Sequence, residues 1–164
     1  MDAWQLDHDV VTLGPLRVAV QRIASSHWKP SGALRSWGLA PLHRAGDALL
    51  VPCGPDEALW LGAWLEDDAP GATLLVTDSA MGASAAAELP RDFQLTSLRG
   101  PGGTQLPLSL PDGGRRILRL ELGLDRASAA VELVLLAPVD WAARTGRAAP
   151  ALLDQPPPLP PRLG

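Results

Sequence analysis

The sequence has no tyrosine, one phenylalanine (Phe93), one cysteine (Cys53) and one lysine (Lys29). A lone cysteine excludes an internal disulfide, so packing and hydrogen bonds must hold the fold. Basic charge is also in short supply: 14 Lys and Arg face 18 Asp and Glu, giving a formal net charge of −4 and a pI near 5.2. Nucleic-acid binding draws most of its affinity from cations that neutralise phosphates, so this balance argues against nucleic acid and anionic membrane as partners. Long apolar runs are missing, because Gly, Pro and charged residues break each one short of the ~20 residues a membrane span requires. Met1 to Val10 carry acids instead of a basic stretch leading into an apolar one, which gives no export signal and makes the cytoplasm the expected compartment. The near-absence of lysine beside abundant Ala, Leu, Gly and Pro resembles the coding bias of a GC-rich, bacterial genome.

What is present describes a folding chain. With 46% hydrophobic and 20% charged residues in 164, the composition is that of one globular domain with a real core. Alternation supplies the secondary structure. Leu16, Val18 and Val20 share a face after the Gly14-Pro15 turn. Leu118, Leu120, Leu122 and Leu124 share another, with Arg119 and Glu121 pointing away, as a half-buried strand requires. Ala130 to Leu136 becomes apolar on both faces toward its end, as a more central strand does. Ala48–Val51, Thr73–Thr77 and Phe93–Thr96 are short apolar stretches between breakers and read as further strands. Leu106, Leu108 and Leu110 alternate just before Pro111-Asp112-Gly113-Gly114, whose Asp-Gly pair suits a tight turn, so a β-hairpin is expected there. Gly100 to Thr104 lacks the lysine of a phosphate loop and reads as a hairpin or connecting loop.

Helix is expected only as short excursions: a turn or two over Ala83–Glu88, and Trp141–Thr145 capped by Asp140 and stopped by Gly146. Pro55 to Leu65 is contested. Pro followed by Asp-Glu starts helices well, but Gly62 and the acidic run Glu66-Asp67-Asp68 at the far end oppose one, so strand is favoured. The resulting fold class is all-β or β-rich, an antiparallel β-sandwich or open barrel with one or two short helices. Residues 1–150 are expected to form this domain and 151–164 a proline-rich extended tail.

The most unusual feature is aromatic. Four of the six tryptophans, Trp28, Trp37, Trp60 and Trp64, fall close together in a chain with one phenylalanine and no tyrosine. As a strand, Pro55–Leu65 puts Trp60, Gly62 and Trp64 on one face, where two indoles flanking a glycine gap suit stacking on a sugar ring, a base or an apolar ligand; packing in the core is the competing role. Trp28 and Trp37 flank Lys29–Gly32 in a stretch without periodicity. The reactive alternatives are weaker. Asp7-His8-Asp9, treated as extended, cannot turn all three side chains to one ion, and His8, His27, His43 and Cys53 lack paired zinc spacing. Cys53 sits in the Pro52–Pro55 turn without protease-like neighbours, Ser79 and Ser84 lie outside a nucleophile elbow, and the scattered carboxylates need a fold to pair them. Pro157 to Arg162 matches Pro-x-x-Pro-x-Arg, a form read by aromatic-lined grooves, or else a plain spacer.

These features point to a non-enzymatic binding module of bacterial type, with no catalytic residue, metal or cofactor assigned. It would use Trp28, Trp37, Trp60 and Trp64 toward a small molecule, glycan or protein. The alternatives are an assembly subunit that self-associates into a homo-oligomer or packs into a larger complex, and an enzyme whose active-site residues meet only in the fold.

Overall fold

Period-two alternation becomes two facing sheets in a computed structural model, which describes residues 3–30, 33–110 and 114–157. Among these the strands in chain order are β1 (Gln5–Asp7), β2 (Val10–Leu13), β3 (Leu16–Ala24), β4 (His43–Ala45), β5 (Ala48–Pro52), β6 (Glu57–Leu65), β7 (Ala72–Asp78), β8 (Ala83–Leu89), β9 (Gln94–Leu95), β10 (Ser97–Arg99), β11 (Gln105–Pro107), β12 (Arg116–Gly123) and β13 (Ser128–Leu136), followed by helix α1 (Pro138–Thr145). One sheet runs β1-β2-β3-β6-β9 and the other β11-β10-β8-β7-β12-β13-β5-β4. All ladders are antiparallel except the parallel pairing of β13 with β5. The architecture is an open, β-rich sandwich. No helix among the described residues is long and apolar enough to cross a membrane.

The core lies between the inner faces. Leu16, Val18 and Val20 of β3 and Leu59, Leu61 and Ala63 of β6 meet Leu74 and Val76, Leu118 to Leu122 on alternate positions, and Val131, Leu133 and Leu135 of the larger sheet. A second layer covers the far face of β5 and β13, where Trp141 of α1 packs on Leu50, Val134 and Leu136. That contact explains why β13 becomes apolar on both faces toward its end. Most of Pro55–Leu65 is strand and none of it helix: Pro55 and Asp56 form a turn, and β6 (Glu57–Leu65) pairs along its full length with β3, from Leu16 opposite Leu65 to Ala24 opposite Glu57.

Four expectations need correction. The hairpin joining Leu106–Leu110 to the strand at Ile117 does not form. β11 pairs with β10 across the Gly100–Thr104 connection, both edges of β12 are taken by β7 and β13, and Leu108 crosses to the other sheet, its carbonyl accepting from the Leu59 N–H at 2.8 Å. The Asp112-Gly113 turn lies outside the described residues. Ala83–Glu88 is strand rather than helix, because pairing with β7 along Ala83–Leu89 and burial of Ala83 and Ala87 override alanine's helical preference. Helix α1 starts at Pro138, ahead of Asp140, with no side-chain cap, while Gly146 ends it in the left-handed conformation at φ 72°. Asp7-His8-Asp9 is not extended: His8 and Asp9, at φ 47° and 65°, form the tight turn between β1 and β2.

The face assignment is directly testable on β12. Leu120→Ala should lower unfolding free energy by about 2–5 kcal/mol in urea titrations, since it opens a cavity in the core. Arg119→Ala, one residue away on the solvent face, should stay within about 0.5 kcal/mol; equal losses would mean the strand is not one-sided.

Candidate functional site

The tryptophans sit on the outer face of the smaller sheet, and the alternation of β6 puts them there. Leu59, Leu61 and Ala63 enter the sandwich core, while Ala58 and Trp60 join a separate cluster with Ile23, Leu34 and Trp37. Gly62 is not a ligand slot. A Cβ there would stand 3.3 Å from the Trp60 ring, so the missing side chain is the space the indole occupies.

A chain segment without periodicity builds the cover over this face. Residues 37–40 run along the part of β3 that lies beyond its ladder with β2: the Trp37 N–H donates to the Arg22 carbonyl at 2.7 Å, the Arg22 N–H to the Gly38 carbonyl at 2.8 Å and the Ala40 N–H to the Val20 carbonyl at 2.8 Å. At the opposite side of the sheet, the Gln94 side-chain amide of β9 holds both backbone groups of Leu34, each at 2.9 Å. The loop is thus fixed at both sheet edges and carries Leu34 and Trp37 onto the sheet. Trp28 packs half-buried against the cluster, its Nε1 donating to the Thr96 carbonyl at 2.9 Å.

The structure therefore brings Trp28, Trp37 and Trp60 together and leaves Trp64 apart. Trp37 and Trp60 are 4% and 6% exposed, whereas Trp64 is 40% exposed and donates from Nε1 to Glu66 at 3.0 Å. Trp60 and Trp64 do not form a shared open platform. The Trp60 Nε1 is buried with no hydrogen-bond partner among the described residues.

The chain's own C-terminal segment completes the cluster. Beyond Gly146 residues 147–157 form no helix or strand. Ala149 packs beside Trp141, Leu152 packs against the tryptophan cluster, and two arginines donate to the segment's carbonyls: Arg22 Nη2 to Pro150 at 2.9 Å, and Arg35 to Pro157. A cleft of about 270 Å³ remains between this segment and the sheet end, bordered by Arg22, Glu57, Pro55, Pro138, Ala149 and Leu152. The remainder of the Pro-x-x-Pro-x-Arg pattern lies outside the described residues.

Beneath Arg22 is a polar end-cap that inspection of single motifs misses. Arg22 forms a buried ion pair with Glu57, whose other oxygen accepts from the Gly54 N–H at 3.0 Å. Across the same end of the sandwich, Arg116 pairs with Asp78 at 2.7 Å and donates to the Pro107 and Ser109 carbonyls. Cys53 lies in this group, 1% exposed, with its Sγ 3.5 Å from the Glu57 carbonyl. Burial, with the Glu57 charge adding to it, pushes the thiol up to about 12, against smaller opposing effects of the Leu110 backbone and of Arg22 and Arg116. The thiolate, not the thiol, is the nucleophile, so Cys53 is a poor one.

The other candidates do not converge. His8 contacts Asp7 at the surface, His27 lies 5.0 Å from the Trp37 ring, and His43 meets Trp141 edge-on. Among the described residues no group of three or more His, Cys, Asp or Glu could hold a metal ion. A wider depression of about 560 Å³ lies on the outer face of the larger sheet beside Arg115, Ile117 and Arg119, where Arg119 is already paired with Glu121 at 3.2 Å. No family model, curated protein or solved structure matches the chain.

The thiol makes a clean pH probe, because the sequence has no tyrosine and one lysine to titrate in the same range. An acid whose folded-state pKa exceeds its unfolded value gives stability that is complete below the unfolded value, here 9.0, and is lost as pH rises toward 12. Unfolding free energy should fall between these values, by up to about 1.4 kcal/mol per pH unit. Cys53→Ala should flatten that decline, and an unchanged slope in the variant would refute the assignment to Cys53.

Proposed function

We propose that this protein is a non-catalytic binding module whose tryptophan-bearing face on the smaller sheet docks a leucine- and proline-containing segment of a protein partner. The observation that carries this reading is the segment already lying there. Residues 149–157 are held without strand pairing, by Ala149 beside Trp141, by Leu152 on the tryptophan cluster and by arginine donors to two backbone carbonyls. Peptide-recognition surfaces commonly combine these two elements, since donors to carbonyls tolerate varied sequence and an aromatic-lined site selects the anchor.

A protein segment is favoured over a glycan or metabolite. Stacking a sugar requires open indole faces, and of Trp28, Trp37, Trp60 and Trp64 only Trp64, which stands apart from the other three, is exposed. The cleft of about 270 Å³ also falls below the roughly 300–1,000 Å³ of typical small-molecule pockets. The high thiol pKa of Cys53 weighs against an enzyme built on a cysteine nucleophile.

Weakening the resident segment tests the reading. Full-length Leu152→Asp protein, titrated with a synthetic peptide of residues 147–164, should bind it and return its tryptophan emission toward that of the unmodified protein. A peptide with the same substitution should bind at least tenfold more weakly. Unmodified protein should bind the first peptide more weakly than the variant does, because its own segment competes. A folded Leu152→Asp protein that ignores millimolar peptide, or that answers a glycan panel instead, would remove the proposal.

A further inference from the structure

We infer that the tryptophan face reads its segment in a fixed register set by Arg22, and that the partner segments it takes are those carrying a Pro-x-Leu triplet. The inference rests on the reading of this face as a segment-binding site and adds the sequence class of the occupant. Consecutive residues of the resident segment meet different surroundings in a set order. Ala149 packs beside Trp141, the Pro150 carbonyl accepts from Arg22 Nη2 at 2.9 Å, Ala151 faces solvent, and Leu152 packs on the cluster that holds Ile23, Trp37 and Trp60.

Arg22 can set the register because it cannot follow a misplaced carbonyl. Its Nε is paired with Glu57, whose other oxygen accepts from the Gly54 N–H at 3.0 Å, and both side chains of the pair are buried. Its backbone N–H and carbonyl are bonded to Gly38 and Trp37. The guanidinium is thus held by the sandwich itself, and Nη2 is presented as a charged donor of fixed direction that spends little rotamer freedom on binding. Two residues span at most roughly 7 Å, so a carbonyl seated on Arg22 delivers the side chain two positions later to the tryptophan cluster, which takes an apolar one. Proline suits the first position because its ring fixes φ and keeps the residue before it extended, shaping the chain on both sides of the carbonyl. The sequence holds three such triplets, at 150–152, 157–159 and 161–163.

The test uses full-length protein carrying Leu152→Asp, Leu159→Asp and Leu163→Asp, so that none of its own triplets fills the site, titrated with synthetic peptides and followed by tryptophan emission. A peptide of residues 147–157 should bind. Inserting one alanine after Ala151 keeps every group of that peptide but misplaces the leucine, and should weaken binding about tenfold. Replacing the Pro150–Ala151 amide by an ester weakens the carbonyl as an acceptor and should weaken binding about fivefold, whereas an ester between the exposed Leu153 and Asp154 should change nothing. In protein that also carries Arg22→Lys the two ester peptides should bind alike, because an ammonium held by Glu57 has no second edge to present. A peptide of residues 155–164, which holds the other two triplets, should bind as well.

Equal binding of the alanine-inserted peptide would overturn the register. A penalty for the Pro150–Ala151 ester that persists in Arg22→Lys would overturn the role of Arg22, and where that variant does not fold, indifference to the ester in the parent protein does the same. A 155–164 peptide that does not bind would overturn the triplet as the recognised class. If the 147–157 peptide binds while these expectations fail, the proposed function stands and only the register is lost; if it does not bind at millimolar concentration, both fall.

Discussion

The antiparallel pairing of β3 with β6 sets the arrangement of nearly everything else. Because each strand alternates, one register assigns Leu16, Val18, Val20, Leu59, Leu61 and Ala63 to the sandwich core and Ile23, Ala58 and Trp60 to the opposite face. A slip of one residue would exchange the two sets, burying polar groups and exposing leucines. The same register places Arg22 and Glu57 at one end of the inner face, where they meet as a buried pair. Core, aromatic face and polar end-cap are consequences of a single strand pairing.

The end-cap shows how the sandwich closes. Breaking a buried ion pair by removing one partner is far more damaging than the net worth of the pair, because a charge is left in a low-dielectric site. Two such pairs, Arg22 with Glu57 and Arg116 with Asp78, flank Cys53 where strands of both sheets end. They also satisfy backbone groups outside the ladders, the carbonyls of Ser109 and Pro150. Arg22 thereby links the interior of the sandwich to the segment lying outside it.

Strands were legible in the sequence wherever alternation was regular, as in Leu118–Leu124 and Leu16–Gln21. The strand at Pro55–Leu65 could be distinguished from a helix by Gly62 and the acids that follow. Partners were less legible, because pairing is decided by chain closure between distant segments. Nothing local indicates that β13 takes β5 as a parallel neighbour, or that Leu108 crosses to Leu59. The orientation of Trp60 followed from parity, but its cover did not, since residues 33–40 have no period and act through backbone bonds to β3 and Gln94. The buried arginines did carry a signal. Arg22, Glu57, Asp78 and Arg116 each continue the inward parity of the leucines or valines beside them, so a charge at an inward position at a strand end marked a partner to be found.

What distinguishes this molecule is an aromatic face closed partly by its own loop and partly by its own C-terminal segment. The loop is fixed at two sides of the sheet, while the segment is held by Ala149 beside Trp141, by Leu152 and by two arginines. Fluorine NMR of full-length protein labelled with 5-fluorotryptophan, comparing solvent-isotope shifts with and without Leu152→Asp, measures this difference most directly. The account predicts that the cluster of Trp28, Trp37 and Trp60 becomes more accessible in the variant while Trp4, buried in the main core, keeps its protection. Six unchanged resonances, or loss of protection at all six together, would contradict it.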